Sequence, residues 1–527
     1  MAELPSNQIV THVPATKFNQ HFAAIAEDLL PQLYERFVSP ESIVDFEFDS
    51  TKYFNVRSKV IHAADGFDML TWSRGEHFIL DFGEHLVGYV SFNLGAHGVN
   101  VDAPARLKLT FGEIPLDVVE DLHPCRSWIS TSWVPDEVIN VDWLPAKVDL
   151  PRRYSFRFIR VDVIDTSPKY KVSFSNLQVK AVTSANSEAS IKPLLNEDHE
   201  LVEIDRVSIA TLRDCMQTVF EDGPRRDRRA WIGDLRLQAL TNYCTFRDFR
   251  LVKRCLYMFA ALAREDGSLP ASMFEWPVLT PASDYIVDYD VLYGSIVLDY
   301  VKASGDMQTG QALWDVIIGS TKVALSHLSE DHVFDSSRGE AWKFLDWDER
   351  LHRDAGMHGV VICSLKAINE LAELLARTKP FTLEVERMVA IAPDRFYDTD
   401  RKVFISGPEK QVSWASQAWL TLAGVSSPDV CKTALLNAMK SEDAVRPLTP
   451  YLWHHMAEAL CVAGAEAECI ALIKSYWGSM LAAGADTFWE YFEPENCRAS
   501  PYGDVHNNSF CHAWSCTPAY LLRTVLP

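Results

Sequence analysis

The sequence predicts a two-part chain of mixed class, an antiparallel β-sandwich followed by a helical domain. Three observations predict it. At 527 residues the chain exceeds the usual size of one hydrophobic core, so more than one domain is expected. From 49 to 190 the apolar runs are short and cut by Gly, Asp and Pro. Beyond Leu195 they lengthen and take a helical period that persists to the end.

Residues 1–48 read as an N-terminal helical segment, because Phe22, Ala23, Ile25, Leu29, Leu30, Leu33 and Tyr34 share a face and Pro40 ends the pattern. Residues 49–190 are the sandwich, with strands expected around 77–80, 88–92, 106–111 and 156–163. Val172, Phe174, Leu177 and Val179 alternate except for a slip at Ser175-Asn176, which predicts a bulge. Small polar residues at 184–188, with Pro193 behind them, form the linker. Residues 191–527 are helical, over 201–217, 235–263, 285–301, 311–328, 357–375, 412–423, 431–439, 451–462, 465–483 and 511–522. Antiparallel helices in that number fit an α-solenoid or a closed double ring. No repeat of solenoid length is visible, which disfavours the first. In a ring, the loops at 220–234, 273–289, 342–350 and 484–496 can meet at one end.

Composition narrows the function. A net charge of −22 disfavours a nucleic-acid partner. No apolar run reaches the roughly eighteen residues of a membrane span. The opening MAELPSNQIVTHVP has neither a basic nor an apolar signal region, and eleven cysteines lack metal-ligand spacing. These point to a cytoplasmic protein with reduced thiols and neither metal nor other cofactor.

The chemistry centres on 220–234, FEDGPRRDRRAWIGD, which packs Glu221, Asp222, Asp227 and Asp234 with Arg225, Arg226, Arg228, Arg229 and Trp231. A salt-bridged surface loop would have this composition. So would a carbohydrate or phosphoester site, with arginines fixing carboxylates and an indole walling a sugar. In GADTFWEY, Glu490 stands between Trp489 and Tyr491, shielded as a general acid or base would be. Two such carboxylates are what glycosidic hydrolysis requires. SFCHAWS adds His512 as a hydrogen-bonding group; Trp276, Trp342, Trp347, Trp414 and Trp514 are candidates for a stacking wall or for core.

DGPRRDRRAWIGD, GADTFWE and SFCHAWS resemble, in order, three motifs of the glycoside hydrolase family 78 α-L-rhamnosidases. Asp-Phe-Gly at 81–83, Val87-Gly88-Tyr89 and Phe111-Gly112-Glu113 resemble that family's β-domain. The resemblance implies an (α/α)6 barrel that releases terminal α-linked L-rhamnose, or a close relative, from a small glycoside or oligosaccharide substrate, with inversion and without metal. It implies Glu490 as general base and Asp227 as general acid, with Asp222, Trp231, Asp234 and His512 on the sugar. Arg226, Trp276, Asp346, Trp347 and Trp489 complete the expected pocket. Where the family has Glu, Asp227 is shorter by about one C–C bond, roughly 1.5 Å. A C-terminal β-sandwich seen in many relatives is absent from the sequence. The four arginines further suggest an acidic aglycone sugar. Other readings are a lyase on a rhamnose- and uronate-containing saccharide, with Arg225, Arg226 or Arg228 on the uronate, and a sugar-binding protein whose acid has decayed. Should Asp227 only bind, Glu275 is the next candidate for the acid.

Overall fold

The computed structural model describes residues 14–339 and 341–526. Its first helix, α1 (Gln20–Asp28), is capped by Asn19, whose side chain accepts from the N–H groups of His21 and Phe22. The reading of 1–48 as helical needs correction. Residues 1–13 lie outside the described residues, Pro31 follows the helix, and β1 (Tyr34–Val38) and β2 (Ser42–Phe48) are strands. Ile43 and Val44 of β2 pair with the next strand but one, so the apolar spacing there served a sheet.

The sheet continues through β3 (Val56–Ala63), β4 (His77–Gly98), β5 (Ala105–Gly112), β6 (Asp136–Val141), β7 (Ala146–Asp149), β8 (Tyr154–Asp165) and β9 (Tyr170–Thr183), with the short helix α2 (Leu116–Val119) after β5. Every pairing is antiparallel. The 22-residue β4 organises it. Its first half pairs with β2 and β8 and its second half with β7 and β9, with a register slip between Asp81 and Leu86. Gly83 sits in that slip at a φ of +74°, with the Glu41 carboxylate where a Cβ would stand. The sheet thereby folds over a core that includes Phe78, Phe82, Phe92, Phe156 and Phe174. The expected bulge is present: Ser91 faces Gln178 but Asn93 faces Ser175, and Asn176 has a φ of 50°.

After the linker come α3 (His199–Cys215), α4 (Ile232–Cys244), α5 (Phe249–Ala261), α6 (Val287–Ser304), α7 (Met307–Leu325), α8 (Asp354–Leu374), α9 (Thr382–Phe396), α10 (Trp414–Leu422), α11 (Pro428–Lys440), α12 (Pro450–Val462) and α13 (Glu466–Ile473). Of these, α4, α6, α8, α10 and α12 are buried on nearly every side and touch one another in that order. Such helices form an inner ring. Helices α5, α7, α9, α11 and α13 form the outer layer; the last four bury one face each, while α5 is buried more fully because α1 packs over it. The C-terminal turns close the ring against α3 and α4, where Trp477 Nε1 donates to the Ser515 carbonyl and Thr241 Oγ1 to that of Cys516. The result is an (α/α)6 barrel.

Three helices differ from expectation. The span 235–263 divides into α4 and α5, because Arg247 takes a φ of 59° and the Asp248 side chain caps α5 through Leu251 N–H. The span 511–522 is a series of short turns interrupted by Pro518. Helix α9 was not expected, since its charges and Pro393 obscure its few buried positions. Helix α1 joins the barrel wall: Phe22 meets Tyr257 of α5 edge-on at 5.5 Å. No described helix is long and apolar enough to cross a membrane.

Candidate active site

Loops that lead from an outer helix into the next inner one gather at one end of the barrel, and two buried aspartates tie some of them together. Asp288, in the first turn of α6, accepts from the N–H groups of Phe344 (2.8 Å) and Leu345 (3.1 Å). Asp346 accepts from Leu448 N–H at 2.7 Å and from the N–H and hydroxyl of Thr449 at 3.1 and 2.6 Å. Asp346 therefore holds the entry to α12 and does not line the pocket expected for it. Burial pushes its carboxyl up to about 6.

The loop between α3 and α4 folds back on itself. The N–H of Asp222 donates to the Arg229 carbonyl, and the Asp222 carboxylate accepts from Arg229 N–H at 3.1 Å. Gly223 lets this loop approach Ser509, whose Oγ would lie 2.9 Å from an added Cβ. Asp227 and Arg228 both take left-handed backbone, with φ of 62° and 53°. Two such residues in succession mark stored strain of the kind found at functional sites, and here they turn Asp227 inward.

A cavity of about 280 Å³ opens between these loops. Of the residues expected at the site, Asp222, Arg226, Asp227, Trp231, Asp234, Trp347, Glu490 and His512 line it. Trp342 and Trp514, which the sequence left between wall and core, line it too. Three expected residues do not. Trp276 is 72% exposed, in the hairpin formed by β10 (Ser272–Phe274) and β11 (Thr280–Pro281). Trp489 points the opposite way from Glu490, into Tyr53, Phe54, Phe492 and Phe510. Asp346 is the third.

The carboxylates meet on one guanidinium. Arg226 Nη2 donates to both oxygens of Glu490 at 2.6 Å, while Nη1 lies 3.1 Å from Asp227. The terminal nitrogens of a guanidinium are about 2.3 Å apart, so these carboxylate oxygens lie within about 8 Å of each other. Glu490 also accepts from Ser509 N–H at 3.1 Å and from the Tyr502 hydroxyl. Arg229 lies 2.9 Å from the other Asp227 oxygen. His512 stands 3.6 Å from Asp234 and 3.8 Å from Glu490.

Electrostatics divides the acids into two kinds. Burial works against the charge on Glu490 and Asp227, but it is outweighed at Glu490 by Arg226 together with the hydrogen bonds from Arg226 and Tyr502, and at Asp227 by Arg226 and Arg229 together. Both carboxyls are held below their ordinary values. Burial raises Asp222 well above the usual range, with Asp227 and Asp234 adding to it, and raises Asp234 likewise, with Glu490 adding. Burial also lowers His512 to about 4, so its ring is neutral. Among the described residues Trp231 Nε1, Asp234 Oδ1, Arg229 Nε, Ser509 Oγ and His512 Nδ1 have no hydrogen-bond partner in the protein. Buried polar atoms are seldom left so, and hydroxyls of a bound sugar would satisfy them.

The positive surplus expected to favour an acidic aglycone is not there. Arg225 pairs with Asp117, Arg226 with Glu490 and Asp227, and Arg229 with Asp227. Arg228 has no carboxylate partner among the described residues, but it donates to the Pro224 carbonyl and does not line the cavity. Of the three arginines a lyase would offer a uronate, Arg225 and Arg226 are thus paired and Arg228 lies off the cavity. Glu275 pairs with Arg254 at 2.5 Å and accepts from Thr218, away from the cavity.

Sequence reasoning missed Tyr502, Tyr289, Phe344 and Asp284, all on the wall, and Trp128 and Ile129, which the β-domain inserts at its edge. Trp128 Nε1 donates to the Pro501 carbonyl across 373 residues of sequence, and no local signal announces such a contact.

A helical barrel with paired carboxylates in an end pocket and a β-domain leaning on its rim defines a glycosidase. Residues 40–181 match the profile of the glycosyl hydrolase family 78 alpha-rhamnosidase N-terminal domain, and 194–526 that of the bacterial alpha-L-rhamnosidase 6 hairpin glycosidase domain. The chain belongs to glycoside hydrolase family 78, the α-L-rhamnosidases. A rhamnosidase from Klebsiella oxytoca, solved with rhamnose bound, is 39% identical, with a TM-score of 0.93 over 97% of this chain and 99% of that one. The family 78 rhamnosidase of Bacillus sp. GL1 is 19% identical, with a TM-score of 0.74 over 89% of this chain and 49% of its own. The Streptomyces avermitilis α-L-rhamnosidase complexed with L-rhamnose is 15% identical, with a TM-score of 0.66 over 93% and 44%. These last two speak for the fold alone, and this chain spans about half their length. No curated protein sequence matches it.

Proposed function

We propose that the protein is an exo-acting hydrolase that removes a terminal α-linked L-rhamnose with inversion of the anomeric configuration. The observation that carries this is the attachment of Glu490 and Asp227 to the two arms of Arg226, on the wall of a cavity sized for one terminal sugar. Glu490, held ionised, is the base that activates water. Asp227 is the proton donor, and the two carboxyl groups flank the anomeric carbon from opposite sides. Asp222, Asp234, Trp231 and His512 take the sugar hydroxyls and the ring face. Eleven free thiols support a reducing compartment, the cytoplasm, as its place of action.

A second reading concerns the donor alone. Asp284 lines the same cavity, is partly exposed, has no hydrogen bond to its carboxylate among the described residues, and is raised by burial. Unlike Asp227 it holds its proton readily. Proton NMR of the first product from an aryl α-L-rhamnoside tests the main proposal: β-L-rhamnose must form first and mutarotate later. Initial α-anomer overturns inversion, and no release of rhamnose overturns the substrate.

A further inference from the structure

The turn that follows β5 in the β-domain carries two fully buried carboxylates that reach into the barrel. Asp117 accepts from Arg225 Nη1 at 2.5 Å and Nη2 at 3.1 Å, and its Oδ1 lies 3.0 Å from His506 Nδ1. Glu113 accepts from Phe510 N–H at 2.7 Å and from Ser155 Oγ at 2.6 Å, with His85 Nε2 at 3.2 Å. The side chains of Asp117, Glu113 and Arg225 are at most 1% exposed. The N–H groups of Glu113 and Ile114 donate back to Asp117, so the turn is rigid in itself.

What these carboxylates hold matters more than that they are buried. Arg225 immediately precedes Arg226, which binds Glu490 and Asp227. His506 immediately precedes Asn507, whose carbonyl accepts from Arg226 Nε at 2.9 Å. Phe510 immediately follows Ser509, whose N–H donates to Glu490 and whose carbonyl accepts from Glu490 N–H at 2.9 Å. One turn of the β-domain thus grips the immediate neighbours of Arg226 and Ser509, which touch the reacting carboxylates, and of Asn507, which holds Arg226.

We propose that Glu113 and Asp117 are positioning residues of the hydrolase, which set the Arg226–Asp227 side of the pocket against the Glu490 side. The β-domain is then part of the catalytic apparatus and not an appendage. The proposal rests on the reading of Glu490 and Asp227 as the reacting pair.

A misplacement of about 1 Å at a reacting group costs on the order of a hundredfold in rate. Asp117→Asn keeps the size of the side chain and removes the charge that draws Arg225 in. It should lower kcat by about 10- to 100-fold with KM changed by less than about threefold. Looser Arg226 would also hold Glu490 less firmly in its charged form, against Asp234, Asp227, Tyr502 and neutral His512 on its other sides. The acidic limb of the kcat/KM profile should therefore move to higher pH. Glu113→Gln, which keeps an acceptor for Phe510, should do the same more mildly, and it decides the matter if Asp117→Asn does not fold. A variant that melts earlier but keeps wild-type kcat and acidic limb overturns the proposal, since a merely structural residue behaves that way. Glu490→Gln in parallel separates the two readings: if it retains turnover, the assignment of the pair fails; if only it is inactive, the positioning role fails.

Discussion

The identity of the proton donor gives the sharpest test of the chemistry. In the free pocket Asp227 faces two guanidiniums, Arg226 at 3.1 Å and Arg229 at 2.9 Å, and its carboxyl is held below the ordinary value. On the proposed mechanism the productive state has Asp227 protonated and Glu490 ionised, which makes it the minor partner of a coupled pair. The basic limb of kcat/KM, which reports the acid of the free enzyme, should then lie on the acidic side of the ordinary carboxylate range. General acid assistance is worth about 100- to 10,000-fold, or about 3 to 5 kcal/mol, for a leaving group that departs as an alkoxide. Asp227→Asn should therefore lower kcat/KM about 1,000-fold on a rhamnosyl disaccharide, but about tenfold or less on a nitrophenyl rhamnoside. With the aryl substrate its basic limb should vanish. Side-by-side kinetics on the two substrates from pH 3 to 9 is the assay. Equal slowing of both, with the limb intact, would refute Asp227 as donor. The same signature in Asp284→Asn would transfer the role there, with a basic limb displaced upward, because burial raises that carboxyl.

Three further outcomes follow from the same geometry. Glu490→Gln should lower kcat by about 1,000-fold or more while rhamnose affinity by calorimetry stays within a few-fold, and azide should restore release of a β-rhamnosyl azide. Trp231→Ala should weaken rhamnose binding about tenfold or more, whereas Trp276→Ala, at a side chain 72% exposed, should leave kcat/KM on a nitrophenyl rhamnoside within about twofold. Glu275→Gln should cost about 1–3 kcal/mol in urea unfolding, by leaving Arg254 buried beside an uncharged partner, with kcat per folded molecule unchanged.

Much of the fold was open to reading because its signals are local. Strand alternation, the slip at Asn176 and the helical period after Leu195 each arise within one element. The errors fell where an element depends on partners distant in sequence. Ser42–Phe48 has apolar residues that a helix would also use, and only its pairing with β3 and β4 decides between them. The division of α4 from α5 turns on the left-handed Arg247, a conformation that arginine does not advertise.

The site followed the same rule with a harder edge. Asp222, Asp227, Trp231 and Asp234 fell together because one loop carries them, and Glu490 and His512 because short motifs mark them. Charge state could not be read that way. Four arginines among four acids suggest a surplus to bind an acidic ligand, yet the ion pairs that remove it come from Asp117 in the β-domain and from Glu490, 264 residues beyond Arg226. Trp489 and Glu490 are adjacent, but one side chain enters the aromatic core and the other the pocket. Asp227 looked like a donor because of its place in the motif, whereas its proton affinity is set by Arg226 and Arg229 on its own loop acting against burial by four others. A motif therefore names the groups that meet the sugar, and the assembled loops decide which of them holds the proton.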